Sequence, residues 1–228
     1  MALSQTEHKL YEKINYSNIK HMRLDLDFPY QEIYEEIYPF LDNFVVHRKS
    51  TGHGLWKSLT LHGHHIFFTG SAKHTLSEEK KKLITPGVYG WTELANMCEV
   101  TYDYFKRFPV EDKARIRFML LEPGGYIEPH SDVEYPRLFS AINFAITHPR
   151  ECIFNIGGED IDWSPGDARA VNVHFTHWVK NNSNKRRLHM IFHGGMSKDE
   201  RFIKLVLENY EKYRDSQNWD EILKQSCK

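Results

Sequence analysis

Alternation of apolar and polar residues dominates the second half of the chain. It begins at Ala114-Arg115-Ile116-Arg117-Phe118, and short runs suited to strands recur at 127–132, 138–146, 152–156, 160–163, 168–173, 177–180 and 187–192. A strand sends successive side chains to opposite faces, so a period of two in short runs predicts β-structure. Turn-forming residues separate the runs at Pro123-Gly124-Gly125, Thr147-His148-Pro149, Gly157-Gly158, Ser164-Pro165-Gly166-Asp167 and 181–184. Regular short strands with this punctuation predict a double-stranded β-helix, that is, a jelly-roll or cupin-like barrel.

Residues 1–110 are mixed. Positions 22–27 alternate as a strand, while 30–44 carry Ile33, Ile37, Phe40 and Leu41 at helical spacing. Residues 55–61 predict a strand that runs into a turn at His62-Gly63-His64-His65, and 77–83 a short charged helix ending near Pro86-Gly87. Trp91, Leu94, Met97, Cys98, Thr101, Tyr104 and Phe105 mark one long helix with a buried stripe. Ser197-Lys198-Asp199-Glu200 has the form of a capping box and predicts a helix over 202–213. The expected fold class is mainly β with flanking helices (α+β). One domain covers 1–228, with a mixed lead-in over 1–112, a jelly-roll core over 113–195 and a helical segment over 196–228.

Composition narrows the classes of function. The 228 residues are 40% hydrophobic and 14% aromatic, a globular balance. Lys plus Arg number 30 against 31 for Asp plus Glu, so no general attraction draws the chain to nucleic acid or an anionic membrane. The cysteines, Cys98, Cys152 and Cys227, are far apart and odd in number, which gives no bridge framework. Residues 1–13 lack the apolar run of a signal peptide, and nothing approaches the roughly 18 apolar residues of a membrane span. A reducing, cytoplasmic setting is the expectation; oligomeric state is left open.

The chemistry concentrates at His130-Ser131-Asp132. Two side chains one residue apart share a strand face, so His130 and Asp132 can point together into a barrel mouth. His174 and His177 are the candidates for a third ligand. A hairpin centred on Asn182 would place His177 opposite Arg187 on one face, which favours His177. Two imidazoles and a carboxylate with open corners make the facial triad of non-haem Fe(II) oxygenases. A buried guanidinium beside it requires an anion, and its planar fork matches a carboxylate, so an organic diacid fits between Arg187 and the metal. Arg186 should point outward. His62, His64 and His65 form the densest histidine cluster; they lack the further ligand of a second metal site, and one could line the substrate pocket. Trp56, His189 and His193 are expected to pack inward, and Cys152 to be buried.

Taken in order, Pro123-Gly124-Gly125, Pro129-His130-x-Asp132, Trp163-x-x-Gly166-Asp167, His177-x-Val179-x-Asn181-x-Ser183 and Arg187-Leu188 resemble the Fe(II)/2-oxoglutarate-dependent dioxygenases. Within them the chain is similar to the aspartyl/asparaginyl β-hydroxylase branch, including the proline cis-hydroxylases, over about 91–195. The resemblance implies Fe(II) held by His130, Asp132 and His177, 2-oxoglutarate bound through its C5 carboxylate by Arg187, O2 as oxidant, and succinate and CO2 as products. Asn143, or else Arg137, would meet the C1 end of the cosubstrate. Some members of the branch lack the carboxylate ligand, so Asp132 aligns this chain with the small-molecule hydroxylases and fills the corner a halogenase leaves for halide. The expected substrate is a free amino acid or similar small polar molecule. The alternatives are an Asp or Asn side chain in a protein or peptide, and a metal-binding cupin-like module without turnover.

Overall fold

The period-two segments fold into two antiparallel sheets that face each other. In the computed structural model, which describes residues 2–48, 52–68, 89–109, 115–194 and 198–226, the larger sheet runs β1 (His21–Leu24), β10 (Ala168–Val171), β7 (Ala141–Thr147), β12 (Arg187–His193), β5 (Arg115–Leu121), β3 (Trp56–Gly63) and β2 (Val45–Val46). The short β4 (Gly90–Trp91) pairs with β3 beside β5. The smaller sheet runs β6 (Tyr126–His130), β11 (His177–Asn181), β8 (Cys152–Ile156) and β9 (Glu159–Asp160). This is the double-stranded β-helix expected from the pattern, with the lead-in strands β1 to β4 extending its larger sheet.

Both faces of the larger sheet are covered. On β5 and β12, Ile116, Phe118, Leu120, Leu188, Met190 and Phe192 pack into the main core beneath the helices. That core also holds Tyr11 and Ile14 of α1 (Gln5–Asn15), Ile33 and Ile37 of α2 (Tyr30–Ile37), and Phe202 and Val206 of α5 (Glu200–Tyr213). The alternate residues, Met119 and Leu121 among them, face the space between the sheets, where Ile127, Phe154, Ile156 and Val179 form a second core. Burying both sides of a strand removes its wet face, so alternation here separates two interiors rather than inside from outside.

Several element boundaries differ from the pattern. Pro39 ends α2 early, because a proline ring clashes with the preceding turn and donates no hydrogen bond; residues Tyr38–Asn43 continue as a 3₁₀ helix. The expected helix from Trp91 breaks at Cys98 into α3 (Leu94–Met97) and α4 (Glu99–Arg107). The Glu36 carboxylate of α2 accepts from Val100 N (2.6 Å), Thr101 N and Thr101 Oγ1 (3.0 and 2.7 Å), satisfying the free donors of a new helix start. Asp199 caps α5 by accepting from Arg201 N, in place of the expected Ser197 box, whose first two positions straddle the edge of the described residues. The helix expected over 77–83 lies outside the described residues. Two helices escaped the pattern: α1, whose Ser4 and Glu7 form a reciprocal capping box, and α6 (Trp219–Gln225) inside the segment read only as helical. Among the described residues no helix is long and apolar enough to cross a membrane.

The hairpin expected between β11 and β12 does not form. β11 pairs with β6 and β8, whereas β12 pairs with β5 and β7 in the other sheet. His177 therefore stands opposite His130, and Arg187 opposite Leu121. Asn181 causes the crossing. Its backbone exchanges hydrogen bonds with the β5–β6 turn, where Gly124 adopts φ +74°, and its buried amide donates to Leu121 O, Glu122 O and Lys185 O at 3.1, 3.2 and 2.8 Å. Ser183 Oγ closes the turn on Asn181 Oδ1 at 2.6 Å. The chain is thus pinned to the β5–β6 corner just where a hairpin would have to turn back.

Candidate active site

The crossing brings His130, Asp132 and His177 together from β6, the loop after it, and β11. One donor atom from each lies within 4.8 Å of the others, with His130 Nε2 3.8 Å from Asp132 Oδ1 and His177 Nε2 4.0 Å from Asp132 Oδ2. Asp132 stands two residues past the end of β6, held by its amide donating to Val173 O at 2.9 Å. Both imidazoles are oriented by main-chain carbonyls: His130 Nδ1 donates to Glu128 O (2.7 Å) and His177 Nδ1 to Phe175 O (3.0 Å). A carbonyl only accepts, so each Nδ1 carries the proton and each Nε2 presents a lone pair toward the carboxylate. Burial pushes the His177 pKa down and keeps that lone pair available at neutral pH. The donor set and its tautomers fit a divalent cation with open corners.

His174 does not join this cluster; its Nδ1 lies 3.2 Å from Val133 O in the loop before β11. His62, His64 and His65 pack against Trp91, Tyr89, Phe68 and Phe67, away from the cavity. The triad is the only such cluster among the described residues.

A cavity of about 180 Å³ opens beside the three donors, between the sheets. Arg187 lines its floor at 2% exposure, with its guanidinium 5.6 Å from the centre of the Phe154 ring. Among the described residues no carboxylate pairs with it, and its Nε is buried without a partner. Burial pulls its pKa down to about 10. Arg186 points outward to Glu122 (2.9 Å) and Asp42 (2.6 Å), as the pattern required. Asn143 of β7 lines the same cavity, and its buried Oδ1 has no hydrogen-bond partner. Arg137 is exposed and stands outside the cavity lining.

One contact of Arg187 was not foreseen. Its Nη2 donates to His189 Nδ1 at 2.8 Å; His189 Nε2 lies 3.0 Å from His148 Nδ1, and His148 Nε2 lies 2.8 Å from Cys152 O. Arginine only donates and a carbonyl only accepts, so all three bonds must run in one direction, from Arg187 to Cys152. That order requires both imidazoles to be neutral. Burial, reinforced by Arg187, holds His189 well below its usual pKa and His148 at about 4. His189 follows Arg187 at period two on β12, the signal by which it could have been found.

The opposite wall of the cavity carries Arg48, Arg115, Arg117 and His193, also absent from the expected site. The alternation at 115–118 did place both arginines on one strand face. Trp56 lines this region at 8% exposure.

A model of the family described as aspartyl/asparaginyl beta-hydroxylase matches residues 20–194. No curated protein matches. Among solved structures, a prolyl-4-hydroxylase from Pseudomonas putida is similar with a TM-score of 0.45 at 11% identity, over 84% of this chain and all of that one. A prolyl hydroxylase from Trichoplax adhaerens, solved with a hypoxia inducible factor peptide fragment, gives 0.44 at 8% identity, over 87% and 94%. HygX from Streptomyces hygroscopicus, solved with nickel, 2-oxoglutarate and hygromycin B, gives 0.43 at 9% identity, over 85% and 88%.

Proposed function

The chain belongs to the aspartyl/asparaginyl β-hydroxylase family, and from that premise we propose that this Fe(II)/2-oxoglutarate-dependent dioxygenase hydroxylates a free amino acid or a similar small polar molecule. The observation that carries the reading is a buried guanidinium, Arg187, without an acidic partner among the described residues, in the same cavity as three convergent metal donors.

In this reading His130, Asp132 and His177 hold the metal. Bound Fe(II) supplies, with O2 and 2-oxoglutarate, the oxidising power for an unactivated C–H bond, and the cosubstrate leaves as succinate and CO2. Arg187 receives the C5 carboxylate as a two-pronged donor, and the neutral His189–His148 chain fixes the orientation of the fork. Asn143, lining the same cavity, can donate its amide Nδ2–H to the C1 end. Phe154, Met119 and Val179 keep that end of the cavity dry, which strengthens the ion pair.

The cavity, which 2-oxoglutarate would share, is only about 180 Å³, and this favours a small substrate. The family's description names Asp and Asn side chains, and this favours a peptide as the competing substrate. Buried, unpaired Cys98 and Cys152 support a reducing, cytoplasmic setting. The test is succinate formation by iron-loaded protein against a panel of free amino acids and short Asp- or Asn-containing peptides. Stimulation by a free amino acid alone supports the reading, and stimulation by peptides alone overturns it.

A further inference from the structure

Arg187 and His189 stand two residues apart on β12 and share its inner face. The bond from Arg187 Nη2 to His189 Nδ1 (2.8 Å) opens a relay that continues through His148 (3.0 Å) to Cys152 O (2.8 Å). Cys152 begins β8, so the relay ties the central strand of the larger sheet to the smaller sheet. Aromatic rings hold it in place. The buried Trp163 indole lies 4.8 Å from the His189 ring at a steep angle and stacks on His148 at 6.2 Å. Phe154 stacks on Trp163 at 5.9 Å, with the Arg187 guanidinium 5.6 Å from its centre. His189 is fully buried, and both nitrogens of each imidazole are bonded. Neither ring is free to turn or to change tautomer without breaking the series.

The consequence falls on Arg187. An untied arginine head, on a stem of three methylenes with about 2 kcal/mol of rotamer freedom, can follow a carboxylate that lies one carbon nearer or farther. Tied at Nη2, the fork keeps one position and one plane. Its remaining N–H groups then meet a carboxylate at one distance from the three metal donors. A carboxylate displaced by one C–C bond, about 1.5 Å, falls outside the roughly 2.7–2.9 Å of a charge-assisted hydrogen bond.

We propose that His189, held in one tautomer by His148, is a positioning residue that sets the chain-length selectivity of the cosubstrate site, so that 2-oxoglutarate is taken and its six-carbon homologue refused. The proposal rests on the reading that Arg187 binds the C5 carboxylate of 2-oxoglutarate. His189 acts through Arg187 and is itself absent from the cavity lining.

Full-length protein loaded with Mn(II) is titrated calorimetrically with 2-oxoglutarate, with 2-oxoadipate, and with 2-oxopentanoate, which keeps the chelating end and carries a methyl in place of the far carboxylate. The unaltered protein should prefer 2-oxoglutarate over 2-oxoadipate by about tenfold or more. His189→Leu should weaken 2-oxoglutarate by about tenfold, bring the two diacids within about threefold of each other, and leave 2-oxopentanoate within about twofold. His189→Asn, whose Oδ1 can replace Nδ1 as acceptor, should restore the preference. His148→Phe should narrow it less than His189→Leu. Isotope-edited NMR of the unaltered, histidine-labelled protein reads the tautomers without relying on the folding of any variant: His189 and His148 should carry their protons on Nε2 alone. An equal loss of affinity for all three acids in His189→Leu marks a merely structural role and overturns the proposal. So does an unchanged preference in that variant, a failure of His189→Asn to restore it, or a proton on His189 Nδ1. Equal affinity of the unaltered protein for 2-oxoglutarate and 2-oxopentanoate overturns instead the underlying assignment of Arg187.

Discussion

Replacing Arg187 by methionine should separate stability from function. The guanidinium is fully buried beside a neutral histidine, and its fall to about 10 from the ordinary value corresponds to roughly 3 kcal/mol of disfavoured charge. Methionine removes that penalty and fills similar volume, but it leaves His189 Nδ1 without its donor, a loss of about 1–3 kcal/mol. The difference predicts ligand-free protein that is unchanged or up to about 2 kcal/mol more stable in urea unfolding, as found when buried ions give way to apolar groups. Binding moves the other way. Removing one partner of a desolvated charge pair costs about 2–5 kcal/mol, so the 2-oxoglutarate dissociation constant should rise by about 30-fold to several thousand-fold. Calorimetric titration of the Mn(II)-loaded protein measures it. Arg187→Lys keeps the charge without the fork and should fall between the two. A methionine variant with 2-oxoglutarate affinity within threefold of the parent refutes the assignment of Arg187. A variant destabilised by more than about 2 kcal/mol refutes the account of its burial.

Asp132→Ala takes the carboxylate from the donor set; Mn(II) affinity should drop by about 100-fold or more, and succinate production should fall to background. Metal removal by chelator should lower the unfolding midpoint of the parent but not of this variant, because only a protein that binds the ion is stabilised by it. Asn181→Ala breaks three hydrogen bonds to carbonyls at the sheet crossing and should cost about 2–4 kcal/mol in urea unfolding; a loss below about 1 kcal/mol argues against the pin. His21, on β1 and remote from the site, is lowered from 6.5 to about 4 chiefly by burial, with Arg169 assisting. The unfolded chain therefore binds a proton that the folded one rejects between those values, and stability falls with pH across that window. His21→Gln should recover about 2 kcal/mol of the loss between pH 7 and pH 5, read from urea curves at both pH values.

Much of the triad was legible because its signals are local. His130-x-Asp132 is a two-residue pattern, and a single strand and its exit place both groups. The symmetry about Asn182 points to His177 for the wrong reason: no hairpin forms, and His177 reaches the other two donor groups by pairing with β6. The polar tract at 181–184 has the composition of a tight turn. What diverts it is Asn181 donating to Leu121 and Glu122, some 60 residues earlier, and no local pattern encodes that contact. The break at Cys98 has the same origin, since the cap of α4 is supplied by Glu36 from another helix. Where the capping partner is local, as in Ser4 and Glu7, the signal stands in the sequence itself.

The arginine wall shows why alternation alone misjudges polarity. At 115–118 the period of two sorts Ile116 and Phe118 from Arg115 and Arg117, and the ordinary inference sends the charged face to water. That inference assumes one wet face. In a roll whose larger sheet carries helices on its outer side, the apolar set is claimed by the helices, and the charged set is turned into the space between the sheets. A charge on such a face is costly unless it binds something, so polar residues in the strands paired with both neighbours are better read as ligand contacts than as surface. By this criterion Asn143 and Arg187 belong together: both lie on the inner faces of β7 and β12, at 3% exposure or less. Exchanging Asn143 for valine, apolar and not much larger, therefore offers a direct check. If its amide serves only packing, the apolar replacement should stabilise the protein and leave the Michaelis constant for 2-oxoglutarate unchanged; if it serves the cosubstrate, that constant should rise by about tenfold while the fold gains stability.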